Sequence, residues 1–209
     1  MKQTLFFIVV LFICQQNAIA QQSFGVKAGV NLADQHRTAK LPPSSDVLTQ
    51  NTKTLWGYQL GVFFKLKLDA AWTLAAEANF SIVGSRMYYV TEQQIFQPGS
   101  INHYFHNKMG YIDIPLSLQY TVNKFYFGAG PGIAFKVLSK ITNYEGYIFD
   151  APQYKTLDFA ANALAGYKIS KKMDINLRYS YGFSNMFESN SLFTSKNRFL
   201  NLSLLYSLK

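Results

Sequence analysis

From residue 24 onward, apolar and polar side chains alternate at every second position through eight separate stretches, and that period leaves little choice of fold. Residues two apart share one face of a strand, whereas a helix would repeat at three and four. The stretch 24–33 sets Phe24, Val26, Ala28, Val30 and Leu32 against Gly25, Lys27, Gly29 and Asn31. The same two-faced pattern returns over 57–68, 73–82, 112–120, 125–136, 157–169, 174–183 and 200–208. Tight turns at Asp69-Ala70-Ala71, Asn123-Lys124 and Ser170-Lys171-Lys172 alternate with long polar connections over 34–55, 87–108, 142–156 and 185–197. An even strand count with short links at one end and long ones at the other predicts an all-β, eight-stranded, antiparallel up-and-down barrel.

Alternation alone does not say which face is inside, because a soluble lipid-binding barrel shows the same pattern inverted. Two features turn the apolar face outward. The polar face collects Gly25, Gly29, Gly57, Gly61, Gly128, Gly130, Gly132, Gly166 and Gly182, which a narrow lumen requires and a wetted surface does not. The apolar face carries too much Phe, Tyr and Leu to fit inside an eight-stranded lumen. With 49% hydrophobic, 16% aromatic and only 15% charged residues, the chain is too apolar to remain unfolded. Its longest apolar run, over 5–13, falls far short of the roughly 20 residues a membrane helix needs. The expectation is therefore a transmembrane barrel. Aromatic residues gather near both strand ends: Trp56, Tyr58, Tyr111, Tyr181 and Phe183 toward the long connections, and Phe24, Trp72, Tyr120, Phe125, Tyr167 and Tyr206 toward the short turns. They predict two interfacial girdles.

The address agrees with a barrel. Met1-Lys2, the apolar run and Ala18-Ile19-Ala20 spell a secretory signal peptide over 1–20, leaving 21–209 as one barrel domain in the outer membrane with both mature termini in the periplasm. Ile13 before Cys14 is too large for a lipidation site, and a single cysteine excludes an internal disulfide.

Several segments taken in order, Phe24-Gly-Val-Lys-Ala-Gly-Val-Asn31, Glu77-Ala-Asn-Phe-Ser81 with Gly84, Tyr111-Ile-Asp-Ile-Pro-Leu116, Phe127-Gly-Ala-Gly-Pro-Gly132 and Leu177-Arg-Tyr-Ser-Tyr-Gly-Phe-Ser-Asn185, are similar to those of the PorT-like outer-membrane β-barrel family of Bacteroidota. The resemblance covers nearly all of the chain past the leader. It implies an outer-membrane barrel, and through the family's namesake a link to protein secretion.

The chemistry the polar face can carry is mostly ionic. Lys27, Lys65, Lys67, Glu77, Asp113, Lys136, Asp158, Lys168, Asp174 and Arg178 all face the expected lumen. Glu77 and Arg178 lie at similar depth, and Lys136 and Asp158 flank one long connection. Such a set forms either a polar pore or a plug of paired charges. The plug is favoured because an unpaired charge inside is costly and the lumen is small. A two-residue turn at Asn123-Lys124 sets Pro115 opposite Gly132; with Pro115 and Pro131 each lacking a ladder donor, a bulge or kink is expected there, the glycines making room. His36, His103 and His106 fall in the connections, where a metal site is conceivable but solvated histidines are the plainer reading. No histidine falls in an alternating stretch and no Gly-x-Ser-x-Gly elbow occurs, so neither an enzyme nor a cofactor is expected. The formal charge of +9 is scattered, which points away from nucleic acid and toward lipopolysaccharide phosphates near the connections. The expected role is a non-enzymatic one in the envelope, structural or partner-binding. A narrow solute channel is the rival, and a soluble lipid-binding periplasmic barrel comes third.

Overall fold

A computed structural model of the chain describes residues 22–39, 51–89, 103–142, 147–150, 155–185 and 193–208. The expected leader lies outside the described residues. Among the described residues nine strands follow one another: β1 (Gln22–Ala39), β2 (Asn51–Lys67), β3 (Trp72–Tyr89), β4 (His103–Val122), β5 (Phe125–Thr142), β6 (Ile148–Asp150), β7 (Leu157–Lys168), β8 (Met173–Gly182) and β9 (Phe193–Ser207). All pairings are antiparallel. β1 pairs with both β2 and β9, and β4 with β5, so eight strands close into a barrel with β6 attached to the end of β5. Within the apolar belt, closure leaves no exposed edge among them.

The barrel is apolar outside and polar inside. Leu60, Val62, Leu116, Leu202 and Leu204 are about half exposed on its wall. Among the described residues twenty buried side chains are polar or charged and ten hydrophobic, the reverse of a soluble core. The alternative of a soluble barrel with an apolar interior is thereby excluded. Asn123 makes the tight β4–β5 turn at φ 55°, a left-handed conformation that asparagine tolerates.

Three features depart from the sequence reading. The strands run well into the expected connections, because beyond the apolar belt both faces are polar and the ladder continues without alternation. His36, His103 and His106 consequently lie within β1 and β4. The connection over 142–156 contains β6, paired with 140–142 of β5. Finally, no register shift occurs at Pro115 and Pro131. Pro115 does stand opposite Gly132, and the same register resumes at Leu118 and Ala129; only the pairing of Leu116 and Ser117 lapses between them. The bulge lies further along, between Gly110 and Tyr111, where Val137 is the extra residue on β5. A second interrupts β2 against β3 between Thr54 and Gln59. Both sit where the strands leave the apolar belt, the barrel-rim position that bulges favour.

Candidate functional site

Among the described residues, the lumen gathers ionisable side chains from opposite walls of the barrel. At its centre, Glu77 of β3 receives two cations. Lys27 Nζ on β1 donates to Oε2 at 2.9 Å, and Arg178 Nη2 on β8 donates to Oε1. The triad therefore spans the lumen from β3 to β8. Asn79 Nδ2 also donates to Glu77 Oε2, at 3.2 Å. A second carboxylate, Asp113 on β4, accepts from Ser81 Oγ at 2.5 Å, Asn79 Nδ2 at 3.0 Å and Gln59 Nε2 at 3.4 Å. Two cations and two carboxylates thus share this level, knitted together by amides and hydroxyls, which is what a low-dielectric interior demands of buried charge.

Toward the short turns, Lys65 pairs with Asp174 at 2.5 Å and lies 5.1 Å from the ring centroids of both Phe63 and Tyr126. Tyr126 accepts from Asn176 Nδ2 at 3.3 Å. Glycines make space for these rings: a Cβ on Gly25 would stand 2.6 Å from Phe63 Cζ, and one on Gly166 would overlap the Tyr126 ring. Beyond them opens a vestibule of about 500 Å³, bounded by Lys65, Lys67, Lys168, Lys171, Lys172 and Asp174 among others. Toward the long connections Asn201 Nδ2 donates to Asn31 Oδ1 at 2.7 Å, and Ser180 Oγ to Asn162 Oδ1 at 2.5 Å. A cavity of about 40 Å³ lies at this level, bordered by Tyr111, Asp113, Pro115, Gly132, Asn162 and Asn197. Ala33, Val83, Met109 and Tyr111 pack into a small apolar cluster inside the wall.

The structure brings together Lys27, Glu77 and Arg178, with Asp113 beside them, and separately Lys65 with Asp174. Asp158 accepts from Asn197 Nδ2 at 3.4 Å and the Ser184 amide at 3.3 Å, and the Lys136 amide donates to Thr156 at 2.7 Å. Lys168 borders the vestibule. Of the expected aromatic residues, Trp72 and Tyr120 meet at 4.9 Å between ring centroids, as do Phe125 and Tyr167; at the other end Tyr181 and Phe183 meet at 5.7 Å. Trp56, Tyr58 and Tyr206 are exposed on the wall. Tyr111 is the exception. It is buried in the lumen, where its hydroxyl accepts from Asn197 Nδ2 at 3.1 Å. Its odd position on β4 puts it on the inward face, a parity that was readable beside Ile112. The lumen amides Asn31, Gln59, Asn79, Asn162 and Asn201 carry no charge that would mark them on a polar face in the sequence.

A closed eight-stranded wall, apolar without and ionic within, defines an outer-membrane β-barrel protein. Residues 15–188 match the family described as Outer membrane protein beta-barrel domain, and the chain belongs to it. Among solved structures the fold is similar to Neisserial surface protein A, at TM-score 0.53 and 10% identity over 89% of this chain and 98% of that one. Similarity extends to Ail, the attachment invasion locus protein of Yersinia pestis, at TM-score 0.48 and 13% identity over 90% and 99% of the two chains. OprG of Pseudomonas aeruginosa aligns at TM-score 0.42 and 11% identity, over 89% and 95%. No curated protein matches the sequence. The outer membrane is the compartment that follows from the family.

Proposed function

We propose that this barrel is a non-enzymatic anchor of the cell envelope, holding its long connections in place for a binding partner rather than conducting solutes. The observation that carries the reading is the Lys27–Glu77–Arg178 triad spanning the lumen, with Asp113 and the amides packed around it. Residues 1–20 serve as the cleaved leader, the mature termini face the periplasm, and the long connections face outside. Trp56, Tyr58 and Tyr181 form the girdle at the long-connection end, and Trp72, Tyr120, Tyr167 and Tyr206 the girdle at the other. The similarity of Tyr111-Ile-Asp-Ile-Pro-Leu116 and the companion segments to PorT-like barrels supports protein secretion as the process served.

A narrow channel is the second reading, favoured by the vestibule of about 500 Å³ that leads from the short-turn end toward the triad. Planar-bilayer recording on the purified full chain separates the two. The anchor reading expects no resolved unit conductance from the wild type; regular conductance steps would overturn it. For secretion, deletion of the gene is expected to deplete particular proteins from the culture supernatant, and an unchanged set of secreted proteins would remove that process.

A further inference from the structure

Above the apolar belt at the long-connection end, one wall of the barrel is basic on its outward face. The last apolar rank there sets Ile82, Gly110 and Leu138 side by side in register. The next outward rank is Gly84, Lys108 and Lys140, and the one beyond it Lys53, Arg86 and His106. Successive outward ranks are about 7 Å apart along tilted strands, so the cations stand roughly 5 and 10 Å past the belt. That is the depth of lipid head groups.

The register makes this arrangement costly by itself. Lys108 is directly opposite Lys140, and Lys53 directly opposite Arg86, pairings of like charge that destabilise a sheet. Elsewhere on the outer face, Arg198 pairs with Asp34 at 2.7 Å, and Lys196 lies 5.9 Å from the Tyr181 ring centroid. Among the described side chains no carboxylate lies within ion-pair distance of Arg86, Lys108 or Lys140; the register places one acidic residue, Asp150 of β6, opposite Lys140 at the patch's edge. His106 stands in the part of β4 beyond the belt. Partial burial, and then the Arg86 and Lys108 cations, hold its imidazole below the usual range.

We propose that Arg86, Lys108 and Lys140 bind the phosphate groups of a phosphorylated glycolipid in the surrounding outer leaflet. Arg86 supplies a two-pronged donor to phosphate oxygens and the lysines supply point charges at the same depth. The acyl chains of such a lipid lie along the apolar ranks directly below. This inference rests on the reading that the long connections face outside.

The test uses the full chain in nanodiscs of phosphatidylcholine, with and without diphosphorylated lipid A, and reads the temperature at which the folded band is lost on a gel. Lipid A is expected to raise that temperature by several degrees for the wild type and by less than half as much for the Arg86→Gln, Lys108→Gln, Lys140→Gln triple variant. In phosphatidylcholine alone the variant should match or exceed the wild type, since it loses like-charge repulsion, and this reports that it folds. An equal rise in both proteins, no rise in the wild type, or the same rise with millimolar inorganic phosphate would each overturn the proposal. Orientation is read separately by labelling a Lys108→Cys variant on intact cells with a membrane-impermeant maleimide. Labelling there with no lipid A effect removes the lipid site alone; absence of labelling with a clear lipid A effect in nanodiscs removes the orientation alone.

Discussion

Glu77 carries two cations, so its removal and the removal of the whole triad have opposite expectations. Glu77→Ala leaves Lys27 and Arg178 buried against each other, and breaking a buried pair in this way costs about 3–5 kcal/mol. Urea unfolding in detergent should show a midpoint lowered accordingly. Replacing all three together, by Lys27→Met, Glu77→Leu and Arg178→Met, removes the charges with their partners and is expected to leave the midpoint near the wild-type value or above it. A steric prediction belongs beside it. Gly166→Val collides with the Tyr126 ring and should cost about 1–3 kcal/mol. Combined with Tyr126→Ala, most of that penalty should vanish, giving a coupling of about 1 kcal/mol or more in a double-mutant cycle. The residues of the triad were legible in the sequence, because each is a charge on the polar face of an alternating stretch. Their partners were less so. Similar depth in upward strands brought Glu77 and Arg178 to one level, but only the closed geometry shows that Lys27 takes the other oxygen and that Asp158 accepts from Asn197 and Ser184.

Among elements, β9 decides whether the wall closes. It pairs with β8 on one side and β1 on the other, yet it lies wholly beyond the 15–188 span matched by the family. Truncation after residue 188 is expected to yield protein that never shows a folded, compact band on an unheated gel, while the full chain does. A folded band from the truncated chain would show that closure can occur without β9. The belt-spanning core of each strand was readable from the period of two. Strand ends were not, since the signal depends on lipid contacting one face and fades once both faces meet water; β1 continues five residues past Asp34 with no apolar alternation to announce it. The bulge beside Gly110 was hidden for the same reason. It lies where parity switches, sending Leu138 and Lys140 outward, whereas the prolines expected to cause a shift are accommodated by Gly130 and Gly132 without one.

For the whole molecule, a closed wall with no free edge in its apolar belt and a cross-linked interior resists detergent as long as it is not heated. The purified full chain is expected to migrate faster on a gel before boiling than after, and identical mobility would contradict a closed barrel. The strands also end at unequal heights. β1 and β9 stay paired out to Ala39 and Phe193, and β3 and β4 to Tyr89 and His103, while β7 and β8 stay paired only to Ala160 and Gly182. The rim is therefore a slope, like the mouth of an obliquely cut reed. The paired ends of β1 with β9 and of β3 with β4 rise clear of the lipid, whereas the paired ends of β7 and β8 stop close to its surface. With the long connections facing outside, as proposed above, a large visitor arriving along the membrane normal meets the tall side first, so a protease applied to intact cells is expected to cut 40–50 and 90–102 before 183–192.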